Sequence, residues 1–280
     1  LFAGLLTKVG AYVMIRVFVM MFGSAVYFGD GTATPTSYPV AEVLQNVLLV
    51  SAIVTMFVGV LGAVSMHSVR RILSIHIISQ VGYMLLGIAL GMGVLFPGDG
   101  AMSMSLKTAA VMGAIFFIIH NMVVKCCLFL CSGLIEAHAG SDDLEKIGGL
   151  LKRGPWLAAL FMIAAMSLAG LPARSGFFGK WALISAGLGR HQTMANIAVA
   201  FAVATSVFTL LSMLKIWSYG FWSPAAGKHI DHPEQKPRVA GGMFAITLLV
   251  VAALSMGVLA QPFLNVCESA ARTVVNPRSY

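Results

Sequence analysis

Eight ionisable side chains stand inside long apolar runs of this sequence: Lys8, Arg16, Lys125, Arg174, Lys180 and Lys215, with His76 and His120. A charged side chain at the centre of a bilayer costs about 2.5–3.5 kcal/mol on insertion scales unless it is paired, hydrated or neutral, so such residues mark ion and proton routes. Lysine and imidazole can give up a proton when buried, whereas arginine stays charged. Arg16 and Arg174 therefore read as fixed charges or lipid-headgroup anchors. All ten Asp and Glu fall in loops or at helix ends, Glu42 and Glu136 being nearest to a span, so every deeply placed ionisable group is a base.

Lys125 lies near the middle of its apolar run, five residues after His120, where a lysine cannot snorkel to either surface. Lys180 directly follows a helix-breaking segment, where it could cap freed carbonyls or help build an ion site beside unwound backbone. His120 is either a relay towards Lys125 or a histidine hydrogen-bonded to a neighbouring helix, and His76 in SVRRILSIHIISQVGYM poses the same choice. Lys215, beside Trp217 and Tyr219, reads as an interfacial anchor. Lys8 can snorkel if its helix starts at Leu1 and is buried if the helix starts earlier. The cluster Cys126, Cys127 and Cys131 reads as small-residue helix filling, so neither a metal nor another cofactor is expected.

The elements that must position these groups are membrane spans. The chain is 59% hydrophobic and only 10% charged, with a mean hydropathy of +0.90, far from the quarter of charged residues usual in soluble domains. A net charge of +8 would suit nucleic acid, but the basic residues never form a stripe, which argues against that partner. Runs of about 20 apolar residues predict an all-α, polytopic fold of about seven transmembrane helices near 2–27, 43–66, 72–95, 107–135, 157–187, 193–220 and 239–262. Turn residues punctuate the connections at Gly29 to Gly31, Pro35, Pro39, Pro97 to Gly100 and Pro233 to Pro237. The fifth span, interrupted by Gly170, Pro172 and Gly176, is expected to break.

Threading the spans alternately puts Arg70, Arg71, Lys146, Lys152, Arg153, Lys228, Lys236 and Arg238 on one side and Lys107, Arg190, Arg272 and Arg278 on the other. The positive-inside rule then places the first group in the cytoplasm and the C-terminus outside, in a cell membrane. The start LFAGLLTKVG has no methionine, basic region or cleavage site and reads as the middle of a longer protein, a split subunit or a decayed copy.

Four segments, GLLTKVGAYVMIRV, RRILSIHIISQVGYM, IIHNMVVKCCLFLCSG and SLAGLPARSGFFGKW, resemble in order and spacing the antiporter-like membrane subunits shared by respiratory complex I and the Mrp-type sodium/proton antiporters. RILSIHIISQVGYMLLGI looks most like the D-type subunits of the Mrp group. The resemblance implies two inverted five-helix repeats, each with a broken helix. Residues 1–28 would hold the last helix of a first repeat, 42–220 the second repeat broken near Pro172, and 239–280 a final span and tail. It also implies a midplane proton path through Lys8, His120, Lys125 and Lys180, with His76, Arg70 and Arg174 as secondary candidates. Ser68 stands where the family usually has aspartate, Ile75 where it has tyrosine, Asn121 where a second histidine is common, and Arg174 where the family is apolar. The implied function is a membrane subunit of a multisubunit cation/proton antiporter, not itself an enzyme, with other subunits, lipid, protons and sodium or potassium as partners. The alternatives are a proton-pumping membrane-arm subunit of a quinone oxidoreductase or hydrogenase, and a non-transporting remnant.

Overall fold

The computed structural model describes residues 2–22, 39–92, 100–224 and 239–276. The turn residues at 29–31, 35, 97–99 and 233–237, and the basic residues Lys228, Lys236, Arg238 and Arg278, lie outside them. The described chain is helical throughout. Helix α1 (Phe2–Met14) continues as a wider π-helical stretch (Ile15–Phe22). It is followed by α2 (Pro39–Ser65), α3 (Val69–Met92), α4 (Gly100–Ala139), the short α5 (Leu150–Arg153), α6 (Pro155–Ala169) and α7 (Ser175–Leu188). Helix α8 (Thr193–Trp217) runs into a π-helical turn, and α9 (Val239–Val258) and α10 (Ala260–Val275) complete the order. Among the described residues, five helices are long and apolar enough to cross a membrane: α2, α3, α4, α8 and α9. The first and fifth predicted spans are not single α-helices of that length: one is α1 with its π-helical continuation, the other the pair α6 and α7.

Two expectations change. Lys107 is not in a loop: α4 begins at Gly100, so Lys107 lies inside the helix, 2% exposed and beside Arg190. The Thr108 hydroxyl there bonds back to the Met104 carbonyl one turn earlier in the same helix. Lys215 is not a headgroup anchor: its Nζ donates to the carbonyls of Val64 and Met66 at 2.9 Å each, closing the C-terminus of α2. The residues after the last apolar run form α10, whose Ala271 and Val275 pack into a core cluster.

The broken span is built by local chemistry. Proline at the first position of α6 suits a helix start, and Gly170 ends the helix in the left-handed region at φ 87. The N–H groups of Gly170 and Leu171 satisfy the carbonyls of Met166 and Ser167, and Ala173 holds the turn at φ 62, a strained value for a side-chain-bearing residue. Helix α7 then restarts tight against the end of α6. A Cβ on Gly176 would lie 1.9 Å from the Ser167 carbonyl oxygen and 3.0 Å from His120 Nε2. Gly176→Ala should therefore push the half-helices apart, at a cost of about 1–3 kcal/mol or more. A lower thermal transition of the detergent-solubilised protein is the expected result, and an unchanged one would show that the break relaxes freely.

At one end of the bundle the α2–α3 turn is tied to the loop after α4. The Val69 and Leu144 N–H groups donate to Asp142 and His67 carbonyls, and the Ser68 hydroxyl donates to the Asp142 carboxylate at 2.5 Å. Beside it, the Glu145 backbone N–H and then the Lys146 ammonium hold the exposed Asp143 carboxyl below its usual range.

The apolar core comes in two large clusters and a small third one of Phe116, Met256 and Cys267. Of the large pair, one holds Leu90, Val111, Phe117, Leu183 and Ala202, the other Leu73, Leu128, Phe161, Met213 and Ile246. Most buried polar residues of the central helices fall between these two: His76, Ser79 and Gln80 on α3, His120 and Asn121 on α4, and Thr205, Thr209 and Ser212 on α8, whereas on α4 Lys125 stands at the edge of the second cluster and Lys107 and Ser132 lie elsewhere. The break and Lys180 occupy the same level between α6 and the apolar part of α7. A polar layer is thus sandwiched inside the bundle.

Candidate functional site

Lys8, His76, His120, Lys125 and Lys180 are all buried, Lys180 being the most exposed at 4%. Helix α1 carries Lys8, whose Nζ donates to the Thr7 hydroxyl at 3.0 Å and whose charge is felt by Lys125. Lys125 on α4 donates to the Leu73 carbonyl of α3 at 3.0 Å. One turn along α3, His76 Nε2 meets the Ser212 hydroxyl of α8 at 2.5 Å, within electrostatic range of both Lys125 and Lys180.

Lys180 sits in the break itself. Its Nζ donates to the carbonyls of Leu168 at 3.2 Å and Ala169 at 2.9 Å, so all four final carbonyls of α6 have partners. It also donates to the Ser206 hydroxyl at 3.0 Å and lies 4.8 Å from the centre of the Tyr83 ring. Tyr83 shares Ser206 at 2.8 Å and donates to the Ala202 carbonyl. Across the break, His120 Nδ1 meets the Ser175 hydroxyl at 2.8 Å, and Ser175 meets Ser167 at 2.9 Å, linking α4 to both half-helices.

Lys125, His76, Lys180 and His120 thus share one layer, with Lys8 at its α1 edge. Arg70 is not part of it: half-exposed at the bundle end, it pairs with Glu136. Arg174 is partly buried at the break, beside α9, where Gly257 lets the helix approach the 173–175 backbone. The sequence reading overlooked Ser167, Ser175, Tyr83 and Ser206. The serines flanking the break and the Gln80-to-Tyr83 spacing on the His76 face were the available signals. Among the described residues no group of three or more His, Cys, Asp or Glu could hold a metal ion, and Cys126, Cys127 and Cys131 are free and buried.

A family model described as NADH:quinone oxidoreductase/Mrp antiporter, transmembrane, matches residues 1–209. The chain belongs to this family. The D subunit of the Na(+)/H(+) antiporter of Alkalihalophilus pseudofirmus is 38% identical over 282 residues, covering all of this chain and 50% of that protein. Its namesake from Bacillus subtilis is 30% identical over the whole chain and 50% of its own length. A chain of the Mrp complex from Dietzia sp. superposes with a TM-score of 0.77 at 31% identity, over 99% of this chain and 53% of that one. A chain of respiratory complex I from Thermus thermophilus, 22% identical with a TM-score of 0.69, covers 98% of this chain and shares the fold. The chain spans about half the length of the curated relatives it matches. It is a multi-pass membrane protein of the antiporter-like fold.

Proposed function

We propose that this chain is a membrane subunit of a multisubunit monovalent cation/proton antiporter, carrying protons through Lys8, Lys125, Lys180 and His120. The observation that carries the reading is one buried layer of titratable bases between two apolar clusters, with Lys180 seated in a broken helix. In so apolar a site neighbouring ammonium groups cannot all stay charged, so a proton arriving on one favours release from the next. Residues 1–28 close an upstream repeat, 42–220 form the second repeat, and 239–280 lie outside it. Other antiporter subunits, lipid, protons and sodium or potassium are the partners. Arg70, Arg71, Lys146, Lys152 and Arg153 at the tied end of the bundle support a cytoplasmic placement of that end and an external C-terminus. The antiporter relatives favour cation exchange over a redox-driven membrane arm, because the likeness to complex I speaks for the fold alone.

The test is Lys125→Ala in the complete complex in vesicles. Leu73 lies inside α3 and keeps its intrahelical partner, so removal of the ammonium leaves no orphaned carbonyl and assembly is expected to persist. Cation-driven change of internal pH should fall at least tenfold, about 1.4 kcal/mol of barrier. Near-normal exchange would remove Lys125 from the route.

A further inference from the structure

We propose that the exposed side of the helix break is an interface, covered in the assembled complex by a membrane helix of another subunit that places an aspartate or glutamate at mid-depth opposite Arg174.

Arg174 stands near the middle of the bilayer. Its neighbour Ser175 meets His120 of α4 at 2.8 Å, and His120 lies 16 residues after Met104 and 19 before Ala139, the ends of the apolar span of α4. At 1.5 Å per residue the nearer end is about 24 Å away, against about 15 Å for half a hydrocarbon core. An arginine there is too short to snorkel to the headgroups, and unlike a lysine it cannot shed its charge. Among the described residues Nη1 of Arg174 is buried without a hydrogen-bond partner. The ion pairs of the described chain involve His67, Arg70, Lys146 and Arg272, none of them at the break. A fixed cation at this depth calls for a carboxylate, and no described carboxylate pairs with it.

The backbone beside it has the same need for cover. Pro172 and Ala173 are exposed, and among the described residues no hydrogen bond reaches the carbonyls of Leu171, Pro172 and Ala173. Irregular backbone at membrane depth is tolerated only where protein covers it or water fills a cavity, because lipid tails donate no hydrogen bonds. The flanks of the break are apolar and suit a packed helix. Trp181, two turns along α7 from Arg174, is 58% exposed and stacks on Phe177. Val258, next to the glycine that touches the break, is 78% exposed.

A second copy of this chain does not fit, since no carboxylate is described deep within its spans. Lipid phosphates sit at the headgroups, half a bilayer away. Helix α1 packs on α3 and α4 and leaves the break uncovered, which favours a separate subunit over residues preceding Leu1. A transmembrane helix satisfies its own backbone and can carry an acid at any depth.

The experiment uses the complete complex in its membrane, with a benzophenone-bearing amino acid in place of Val258. After irradiation the cross-linked peptide is identified by mass spectrometry. It should come from a membrane span of another subunit with an aspartate or glutamate within about one turn of the attachment point. Cross-links only to lipid, to a second copy, to residues preceding Leu1 or to a span without an acid would overturn the proposal. Arg174→Lys should keep at least half of the cross-linking yield. Arg174→Leu should lower it at least threefold, because the partner's acid is left unpaired. Arg174→Glu should lower it at least tenfold, and changing the partner's acid to arginine in that background should restore at least half. Parental yield in Arg174→Leu, or no recovery on exchanging the charges, would overturn the proposal. Cross-linking is read without transport, so normal exchange in Lys180→Arg would remove the proton role of Lys180 and leave this pairing standing.

Discussion

Lys180→Arg is expected to preserve assembly and abolish exchange, whereas Lys180→Met should lose both exchange and stability. The two variants separate the jobs this side chain holds in one place. As a cap, its ammonium satisfies the Leu168 and Ala169 carbonyls released by the break. Methionine fills similar space but donates nothing, leaving two buried carbonyls unpaired at about 1–3 kcal/mol each. Arginine can still donate to them, yet it stays protonated and cannot pass a proton on. Exchange in the arginine variant should drop at least ~100-fold, about 2.7 kcal/mol of barrier, with a thermal transition near that of the parent. Normal exchange in Lys180→Arg would reduce Lys180 to a helix cap.

The 280 residues reconstituted by themselves should carry no cation-coupled proton flux. No carboxylate is described deep within the spans, where Lys8, His76, Lys107, His120, Lys125 and Lys180 are buried, while Glu42 and Glu136 lie at helix ends with exposed side chains. Without a carboxylate among them, like charges in one apolar layer repel, some stay neutral, and a relay stalls. An upstream repeat or another protein of the complex is expected to bring the missing acid. Liposomes holding only this chain should keep a constant internal pH after a sodium or potassium jump. Robust flux that disappears with Lys180→Ala would show that these residues suffice.

Five of the spans, the break and the intramembrane lysines were legible because each rests on short stretches of chain. Pro172 with Gly170 and Gly176 breaks a helix wherever it lies. The positions of Lys107 and Lys215 were not legible, because burial of Lys107 depends on α4 starting at Gly100, and the role of Lys215 on carbonyls 149 and 151 residues away. Likewise the serines at the break gain meaning only when α4 delivers His120 to Ser175 across 55 residues.

By itself the sequence determined that the chain lives in a bilayer, where it breaks, and that its buried charges are basic. Those properties are sums over neighbouring residues: transfer of apolar side chains, and backbone donors lost or kept. Only the tertiary structure decided that Lys125, His76, Lys180 and His120 share one layer while Arg70 stands apart at the surface. That choice depends on the rotation and depth of packed helices, to which residues far apart along the chain contribute at once.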